Sequence, residues 1–179
     1  MNYYDKTQIV AKIDRNNKII GKVEKWEAHK KGILHKGFTV VLEYEGMLLL
    51  QHRKHPAFDN TLDLTISSHP LYEGEKLQDT VSAIYQALER ELGLSQKYII
   101  GKPIYKGVAW YKSKDAKSVF TEHEMDEIYV AKINKLPKMN VEYSYSIILQ
   151  TKKQLTDKKN PLSKLLAPWV VVMLEDGLI

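Results

Sequence analysis

The stretch LQDTVSAIYQALERELG occupies residues 77–93 and has the clearest structural pattern in the sequence. Its apolar side chains recur at three- and four-residue intervals, and a glycine follows the last of them. That period places them on one face of a helix, and a glycine just beyond the end is typical of a C-terminal cap. The stretch predicts a central amphipathic helix with apolar positions Leu77, Val81, Ile84, Tyr85, Leu88 and Leu92, closed by Gly93.

Most of the remaining chain has the patterns of β-strands and turns. Residues 8–14 and 19–24 flank an Asn-rich turn and predict an N-terminal β-hairpin. Residues 34–44 and 47–51 predict a second, more apolar hairpin. Further strands are predicted at residues 63–68, 98–110, 122–132 and 143–149, helices at 151–158 and 165–174, and a polar connector or short helix at 25–31.

This order indicates an α+β protein rather than a chain of alternating βαβ units. We expect an α/β/α sandwich, with mixed β-sheets flanked by helices and the N-terminal hairpin added to it. The 179 residues suit one domain with a full core, and no repeat or linker divides them, so residues 1–179 are predicted to form a single domain.

Composition excludes several kinds of site. The chain has no cysteine, which rules out disulfides, thiolate metal ligands and a cysteine nucleophile. The net charge is +5, but only three of the 27 basic residues are Arg, so we expect a solvated lysine surface and no nucleic-acid partner. No run approaches the roughly 18 apolar residues of a membrane span, and the N-terminus lacks a signal layout. We therefore expect a cytoplasmic protein without a membrane partner.

Five residues have side chains that commonly bind metal ions. Glu122 and Glu124 are two apart, so on a strand they share one face. Three imidazoles and two carboxylates would form a mixed nitrogen and oxygen site that suits Zn, Mn or Fe(II). Spacing alone leaves open that the histidines are scattered surface or core-rim residues. The set is His29, His35, His69, Glu122 and Glu124.

The end of the predicted helix has a second pattern, Glu89-Arg90-Glu91-Leu92-Gly93. It resembles the closing part of a Nudix box, in which helix carboxylates hold Mg²⁺ against a diphosphate. The Arg-Glu pair of that box is replaced by Gln86-Ala87, so the box is degenerate. By itself, the pattern is also compatible with a solvated helix face.

Read together, these patterns resemble type I isopentenyl-diphosphate isomerase, a family with the Nudix fold. The matching runs occur in the family's order and extend from about residue 8 to residue 175. They are residues 23–29, 32–38, 48–53, 68–71, 91–93, 122–126 and 167–169. The resemblance implies an enzyme of isoprenoid biosynthesis that converts isopentenyl diphosphate to dimethylallyl diphosphate.

The resemblance also implies a role for each matching residue. The five histidine and glutamate residues would hold one divalent ion, Zn²⁺ or Mn²⁺, and Glu91 would help hold Mg²⁺ at the diphosphate. Glu124 and Tyr111 would act as the catalytic acid, and the face of Trp169 would lie along the isoprenoid. The diphosphate would contact Lys25, Arg53, Ser68 and either Lys54 or His55, where the loop register is uncertain.

One position departs from the family pattern in a way that affects the chemistry. The second acid or base of the family is a cysteine two residues before the His-Pro, and here that residue is Ser67. A thiol has a pKa near 8.5, whereas a serine hydroxyl is a far weaker acid and needs an adjacent base. Ser67 is nevertheless the expected third catalytic residue.

Three functions follow from this departure. The chain is an isomerase that uses Ser67, a Nudix hydrolase of a diphosphate-containing substrate, or a non-catalytic protein that binds isoprenoid diphosphates. The loss of the Arg-Glu pair at Gln86-Ala87 argues against the hydrolase. In each case the expected partner is a small isoprenoid diphosphate or a related compound, and the expected oligomeric state is a monomer or a weak homodimer.

Overall fold

The computed structural model describes residues 3–179, and a mixed, largely antiparallel sheet dominates this part of the chain. Nine strands form the sheet, in which β7 and β8 take no part because they pair only with each other. In chain order the strands are β1 (Ile9–Ile13), β2 (Ile19–Glu24), β3 (His35–Tyr44), β4 (Met47–Arg53), β5 (Leu62–Leu64), β6 (Ile66–Ser68), β7 (Tyr72–Glu73), β8 (Lys76–Leu77), β9 (Ile99–Lys114), β10 (Thr121–Ile133) and β11 (Ser144–Gln150).

Within the same residues there are four α-helices and three short 3-10 segments. The helices are α1 (Lys25–Lys31), α2 (Thr80–Leu92), α3 (Lys152–Thr156) and α4 (Pro168–Glu175), and the 3-10 segments are Tyr3–Asp5, Gln96–Tyr98 and Pro161–Leu165. None of the helices in residues 3–179 is long and apolar enough to cross a membrane.

Strand β3 is the centre of the sheet. It pairs with β4, β6 and β1 in antiparallel fashion and with β10 in parallel. Phe38, Val40 and Leu42 pack into one core with α2, while Val41 points to the opposite face and packs with α4. Both faces of the sheet are therefore covered, which confirms the predicted α+β sandwich. The N-terminal hairpin is confirmed as well, because β1 and β2 pair in antiparallel fashion.

Helix α2 confirms the periodicity of residues 77–93, with one difference at its start. Asp79 caps the helix by accepting a hydrogen bond from Ser82 N, and Gly93 closes it with φ +56°. Because the cap fixes the first turn at Thr80, Leu77 lies outside the helix, in β8. The buried positions of α2 include Ile84, Leu88 and Leu92, as predicted, and also Ala87.

Helix α4 begins three residues later than the apolar run suggested. Pro168 occupies the first turn, where its missing N–H costs nothing, and the residue before a proline is disfavoured in a helical conformation. The chain from Leu166 to Ala167 is accordingly extended. This start places Trp169 in the first turn of α4, buried against the sheet.

Candidate active site and metal centre

Helix α1 brings Lys25 and His29 to the same buried face, one turn apart. Glu24 caps the helix at Glu27 N, and Gly32 ends it in the left-handed conformation with φ +60°. The Nδ1 atom of His29 lies 2.6 Å from the carbonyl oxygen of Lys25. A carbonyl only accepts, so Nδ1 carries the proton and Nε2 keeps a lone pair for another ligand.

His35 is oriented by the same kind of contact. Its Nδ1 atom lies 2.7 Å from the carbonyl oxygen of Ile33, which again leaves Nε2 as the free acceptor. For His69, burial lowers the pKa to about 3, which favours the neutral imidazole. Neutral imidazoles with inward lone pairs are the form in which histidine binds metals.

Three neighbouring strands align the remaining groups in one row. Inward and outward residues alternate along β10, so Glu122 and Glu124 point into the same buried space. The register pairs Glu124 with His35 on β3 and with Tyr111 on β9. The row therefore joins a histidine, a carboxylate and a phenol across adjacent strands.

The five residues proposed as metal ligands come together in this space. One ligand atom from each lies within 4.8 Å of all the others, and all five residues are buried. Glu124 Oε1 lies 2.6 Å from His69 Nε2 and 3.1 Å from His35 Nε2. His29 Nε2 and Glu122 Oε2 lie 2.9 Å apart.

These contacts leave polar atoms unsatisfied in a manner that fits a divalent cation. His29 Nε2 and Glu122 Oε2 are both buried, yet neither has a hydrogen-bond partner among the described residues. The Nε2 atoms of His35 and His69 lie only 3.1 Å apart, and both face Glu124 Oε1. A cation between them would satisfy all four atoms, and the nitrogen and oxygen donor set suits Zn²⁺ or Mn²⁺. The residues present therefore fit the implied metal.

Gly37 and Tyr111 fix the position of the Glu124 carboxylate. The phenol of Tyr111 donates a 2.6 Å hydrogen bond to Glu124 Oε2. A Cβ atom at Gly37 would lie only 2.5 Å from the same oxygen, so this strand position has room for the carboxylate because it lacks a side chain. Burial, together with the negative charge of Glu124, raises the pKa of Tyr111 well above its ordinary value.

Ser67 lies at the border of this space, on β6, and its hydroxyl has two partners. Its Oγ donates to Asp63 Oδ1 at 2.9 Å and lies 2.7 Å from Thr39 Oγ1. Thr39 Oγ1 is in turn 2.6 Å from Asp126 Oδ2. Burial, reinforced by the charge of Glu124, raises the pKa of Asp126 well above the usual range of a carboxyl.

Trp169 forms the apolar wall beside Ser67. The side chain is buried, and its indole Nε1–H donates to Asp63 Oδ1 at 2.8 Å. Tyr111 stacks on the ring at a centroid distance of 5.7 Å, and the Arg53 guanidinium lies 5.0 Å from the ring centroid. Phe58 packs edge-on against the indole. Tryptophan, tyrosine and the histidine–glutamate cluster thus enclose one compartment.

The site has two adjoining compartments that share five residues. Both compartments are lined by Lys25, Arg53, His55, Ser67 and Ser68. The metal compartment is lined in addition by His29, His69, Tyr111, Glu122, Glu124 and Trp169. The basic compartment is lined in addition by Tyr3, Tyr4, Gln51, Arg90, Glu91 and Tyr143.

Three basic side chains give the basic compartment its charge. Arg53 pairs with Asp63 at 2.7 Å and Arg90 pairs with Glu91 at 2.6 Å. Lys25 has no carboxylate partner within 4.0 Å among residues 3–179, and burial lowers its pKa to about 8. Such a lysine suits an incoming anion better than one already paired.

Glu91 lies outside the five-residue cluster and lines only the basic compartment, in keeping with the expected place of a residue that would hold Mg²⁺ at the diphosphate. Lys54 lines neither compartment, because its exposed ammonium donates to Val141 O, while His55 lines both. Asp63, Arg90 and Asp126 were not expected. Of these, only Arg90 had a sequence signal, because it stands next to Glu91 at the end of the helix.

The chain is similar in sequence to several isopentenyl-diphosphate Delta-isomerases. No protein-family model matches the chain. An isopentenyl-diphosphate Delta-isomerase from Serratia proteamaculans (strain 568) is 25% identical over 172 residues, covering 94% of this chain and 90% of that protein. Isopentenyl-diphosphate Delta-isomerase 1 of Bos taurus is 31% identical over 136 residues, or 68% of this chain and 60% of that protein.

Among solved structures, a MutT Nudix hydrolase from Burkholderia pseudomallei superposes with a TM-score of 0.53. The superposition covers 79% of this chain and 96% of that chain, at 18% sequence identity. At that identity the likeness shows the fold and nothing finer. The chain is thus similar in sequence to isopentenyl-diphosphate Delta-isomerases, and it has the Nudix fold.

Proposed function

We propose that the chain is a metal-dependent isomerase that converts isopentenyl diphosphate to dimethylallyl diphosphate in isoprenoid biosynthesis. One observation carries the proposal. Four of the five residues in the buried cluster of histidines and glutamates, all except His35, line the same compartment as Trp169 and Ser67. This is the combination that protonation of an alkene and removal of a second proton would require.

The diphosphate would bind in the basic compartment. Lys25, Arg53 and Arg90 provide positive charge there, and Ser68 provides a hydroxyl. Glu91 is the buried carboxylate in this compartment and would hold Mg²⁺ against the diphosphate. Because the two compartments adjoin, a bound diphosphate would direct the isoprenoid carbons toward the metal compartment.

Tyr111 and Glu124 are the acid of the proposed reaction. The 2.6 Å hydrogen bond between them keeps a proton at the buried carboxylate. That proton would pass to the terminal methylene carbon of isopentenyl diphosphate, leaving a tertiary carbocation. When bound by the cluster, the divalent ion would fix the Glu124 carboxylate and balance the charge of the two glutamates.

Trp169 would stabilise the carbocation, which has no neighbouring heteroatom to share its charge. Cation–π attraction to a desolvated indole face is worth about 2 kcal/mol or more. The ring is buried, with 1% of its surface exposed, so the cation would meet little water. Exclusion of water matters because a hydroxyl from solvent would trap the cation as an alcohol. Ser67 would then accept the second proton.

The residues that α2 has at the positions of the Nudix box argue against diphosphate hydrolysis. Water attack on phosphorus calls for several helix carboxylates around Mg²⁺. In α2, Gln86 and Glu89 are exposed and Ala87 is buried in the core, which leaves Glu91 as the buried carboxylate of the helix. Hydrolysis of a diphosphate would also leave Trp169, which lines the metal compartment, without a role in the reaction.

The experiment is incubation of the purified protein with isopentenyl diphosphate, Mg²⁺ and either Mn²⁺ or Zn²⁺, followed by ¹H and ³¹P NMR. Conversion to dimethylallyl diphosphate without release of phosphate supports the isomerase. Release of phosphate or of a monophosphate would establish a hydrolase instead. Saturable binding without any turnover would establish a binding protein.

A further inference from the structure

Asp63 connects three groups of the site, although nothing in its sequence context indicates a function. It lies on β5 and its side chain is completely buried. Its Oδ1 atom accepts hydrogen bonds from Ser67 Oγ at 2.9 Å and from Trp169 Nε1 at 2.8 Å. Its Oδ2 atom accepts from the guanidinium of Arg53 at 2.7 Å.

A buried carboxylate is costly unless donors surround it, and Asp63 has four. The fourth is the backbone N–H of Leu64, at 2.8 Å from Oδ1. The backbone N–H and the ion pair with Arg53 stabilise the charge of the side chain, and the other two contacts come from side chains of the proposed active site. Those two contacts, to Ser67 and Trp169, reach the two side chains that border the proposed carbocation.

We propose that Asp63 is a positioning residue that provides Ser67 with the adjacent proton acceptor that a serine needs in place of a thiol. The inference rests on the proposed isomerase function. Ser67 Oγ is already directed at Asp63 Oδ1, so its hydroxyl proton has a short path to a carboxylate. This is the arrangement by which a neighbouring base activates a hydroxyl.

The proton balance of the step is closed. One proton passes from the Tyr111–Glu124 pair to the terminal methylene carbon. A C–H bond then breaks at C2, the carbon bonded to the methylene that carries the diphosphate. Its electron pair forms the new double bond to the cationic carbon. The released proton goes to Ser67 Oγ as the hydroxyl proton moves to Asp63 Oδ1. After product release, Asp63 returns its proton through solvent to the Tyr111–Glu124 pair.

The contact with Trp169 has a second consequence. A carboxylate that accepts the indole Nε1–H fixes the plane of the ring and increases the electron density of its face, which strengthens cation–π attraction. Asp63 therefore acts on the cation through Trp169 and on the departing proton through Ser67.

A double-mutant cycle tests the inference. Asp63→Asn removes the charge while keeping the shape of the side chain, and Ser67→Cys supplies a group that ionises without a strong base. We expect Asp63→Asn to lower kcat about 100-fold in the wild-type background and no more than about fivefold in the Ser67→Cys background. A purely structural role predicts the same factor in both backgrounds, and that result would overturn the inference.

Two further variants keep the test decisive. Asp63→Glu retains the ion pair with Arg53, so it replaces Asp63→Asn in the test if that variant fails to fold. The decrease in kcat caused by Asp63→Glu should be smaller, and it should likewise occur only when residue 67 is serine. Asp115→Asn is the matched control. Asp115 is also a buried aspartate that accepts from a backbone N–H, that of Phe58, but it touches neither Ser67 nor Trp169. Its kcat should stay within about twofold of wild type in both backgrounds.

A readout independent of turnover is the indole N–H signal of Trp169 in ¹H–¹⁵N NMR. Asp63→Asn should shift this signal upfield, while the signals of Trp26, which donates to Tyr4 O, and of Trp110 stay in place. An unmoved Trp169 signal would overturn the inference. Complete absence of wild-type turnover would instead overturn the proposed function, and the inference with it, so the two failures are distinguishable.

Discussion

Gly37 offers the sharpest test of how the fold shapes the metal site. The residue lies on β3 opposite Asp126 of β10, two positions along from the row that joins His35, Glu124 and Tyr111. Replacing it with alanine adds one methyl group, 2.5 Å from Glu124 Oε2 and 2.9 Å from its Cδ. Backbone strain is not involved, because Gly37 does not have a positive φ.

The size of the effect follows from these distances. Ordinary contact begins at 3.4 Å, so the carboxylate or the strand must move by about 0.9 Å. Metal ligands tolerate about 0.2 Å, and a misplacement of about 1 Å in an active site costs roughly 100-fold in rate. Overpacking of this kind also costs about 1–3 kcal/mol of folding stability. Gly37→Ala should therefore weaken metal binding 10- to 100-fold, on the order of a lost supporting contact.

The assay is calorimetric titration of the metal-stripped protein with Mn²⁺ and with Zn²⁺, alongside thermal unfolding and isomerase kinetics. Gly21→Ala is the control, because Gly21 also lies in a strand and a Cβ there meets nothing within 4 Å. It should bind metal like the wild type and unfold within about 1 kcal/mol of it. Wild-type metal affinity and rate in Gly37→Ala would refute the placement of Glu124.

Three further results are expected. Ser67→Cys should raise kcat, because a thiol ionises far more readily than a hydroxyl, and Ser67→Ala should lower kcat at least 100-fold. If Ser67→Cys is no faster than the wild type and Ser67→Ala loses no activity, Ser67 is not the acid or base. Glu124→Gln should abolish turnover while Kd for the substrate changes less than about threefold, as measured by calorimetry, and an unchanged rate would remove Glu124 from the mechanism. The kcat/KM should fall about tenfold per pH unit above pH 8, because burial lowers the pKa of Lys25 to about 8 and only the charged lysine attracts the diphosphate. In Lys25→Gln, measured over the same pH range, this decline should disappear.

The sequence was sufficient for the elements whose patterns are local. The spacing in residues 77–93 predicted α2 and its glycine cap, and alternation predicted the hairpin of β1 and β2. The five histidine and glutamate residues could be grouped only through the family resemblance. Their spacing gives no reason why His29 on a helix should meet Glu122 on a strand nearly a hundred residues later.

Features that depend on packing were beyond local patterns. Asp63 contacts Ser67 four residues along the chain and Trp169 more than a hundred residues along it, and only the docking of α4 on the sheet brings them together. The open choice between Lys54 and His55 has a similar origin. Beyond the end of β4 the alternation of faces no longer applies, so the sequence could not tell whether Lys54 or His55 turns inward.

The central claim is that Glu124, Tyr111 and Ser67 move protons on and off an isoprenoid carbon chain. The most direct measurement is turnover of isopentenyl diphosphate in D₂O with the location of deuterium read by ²H NMR. We predict deuterium in a methyl group of dimethylallyl diphosphate, at a rate that depends on the divalent metal and is lost in Glu124→Gln. Product formed without solvent deuterium, or unchanged substrate with every metal tested, would contradict the claim.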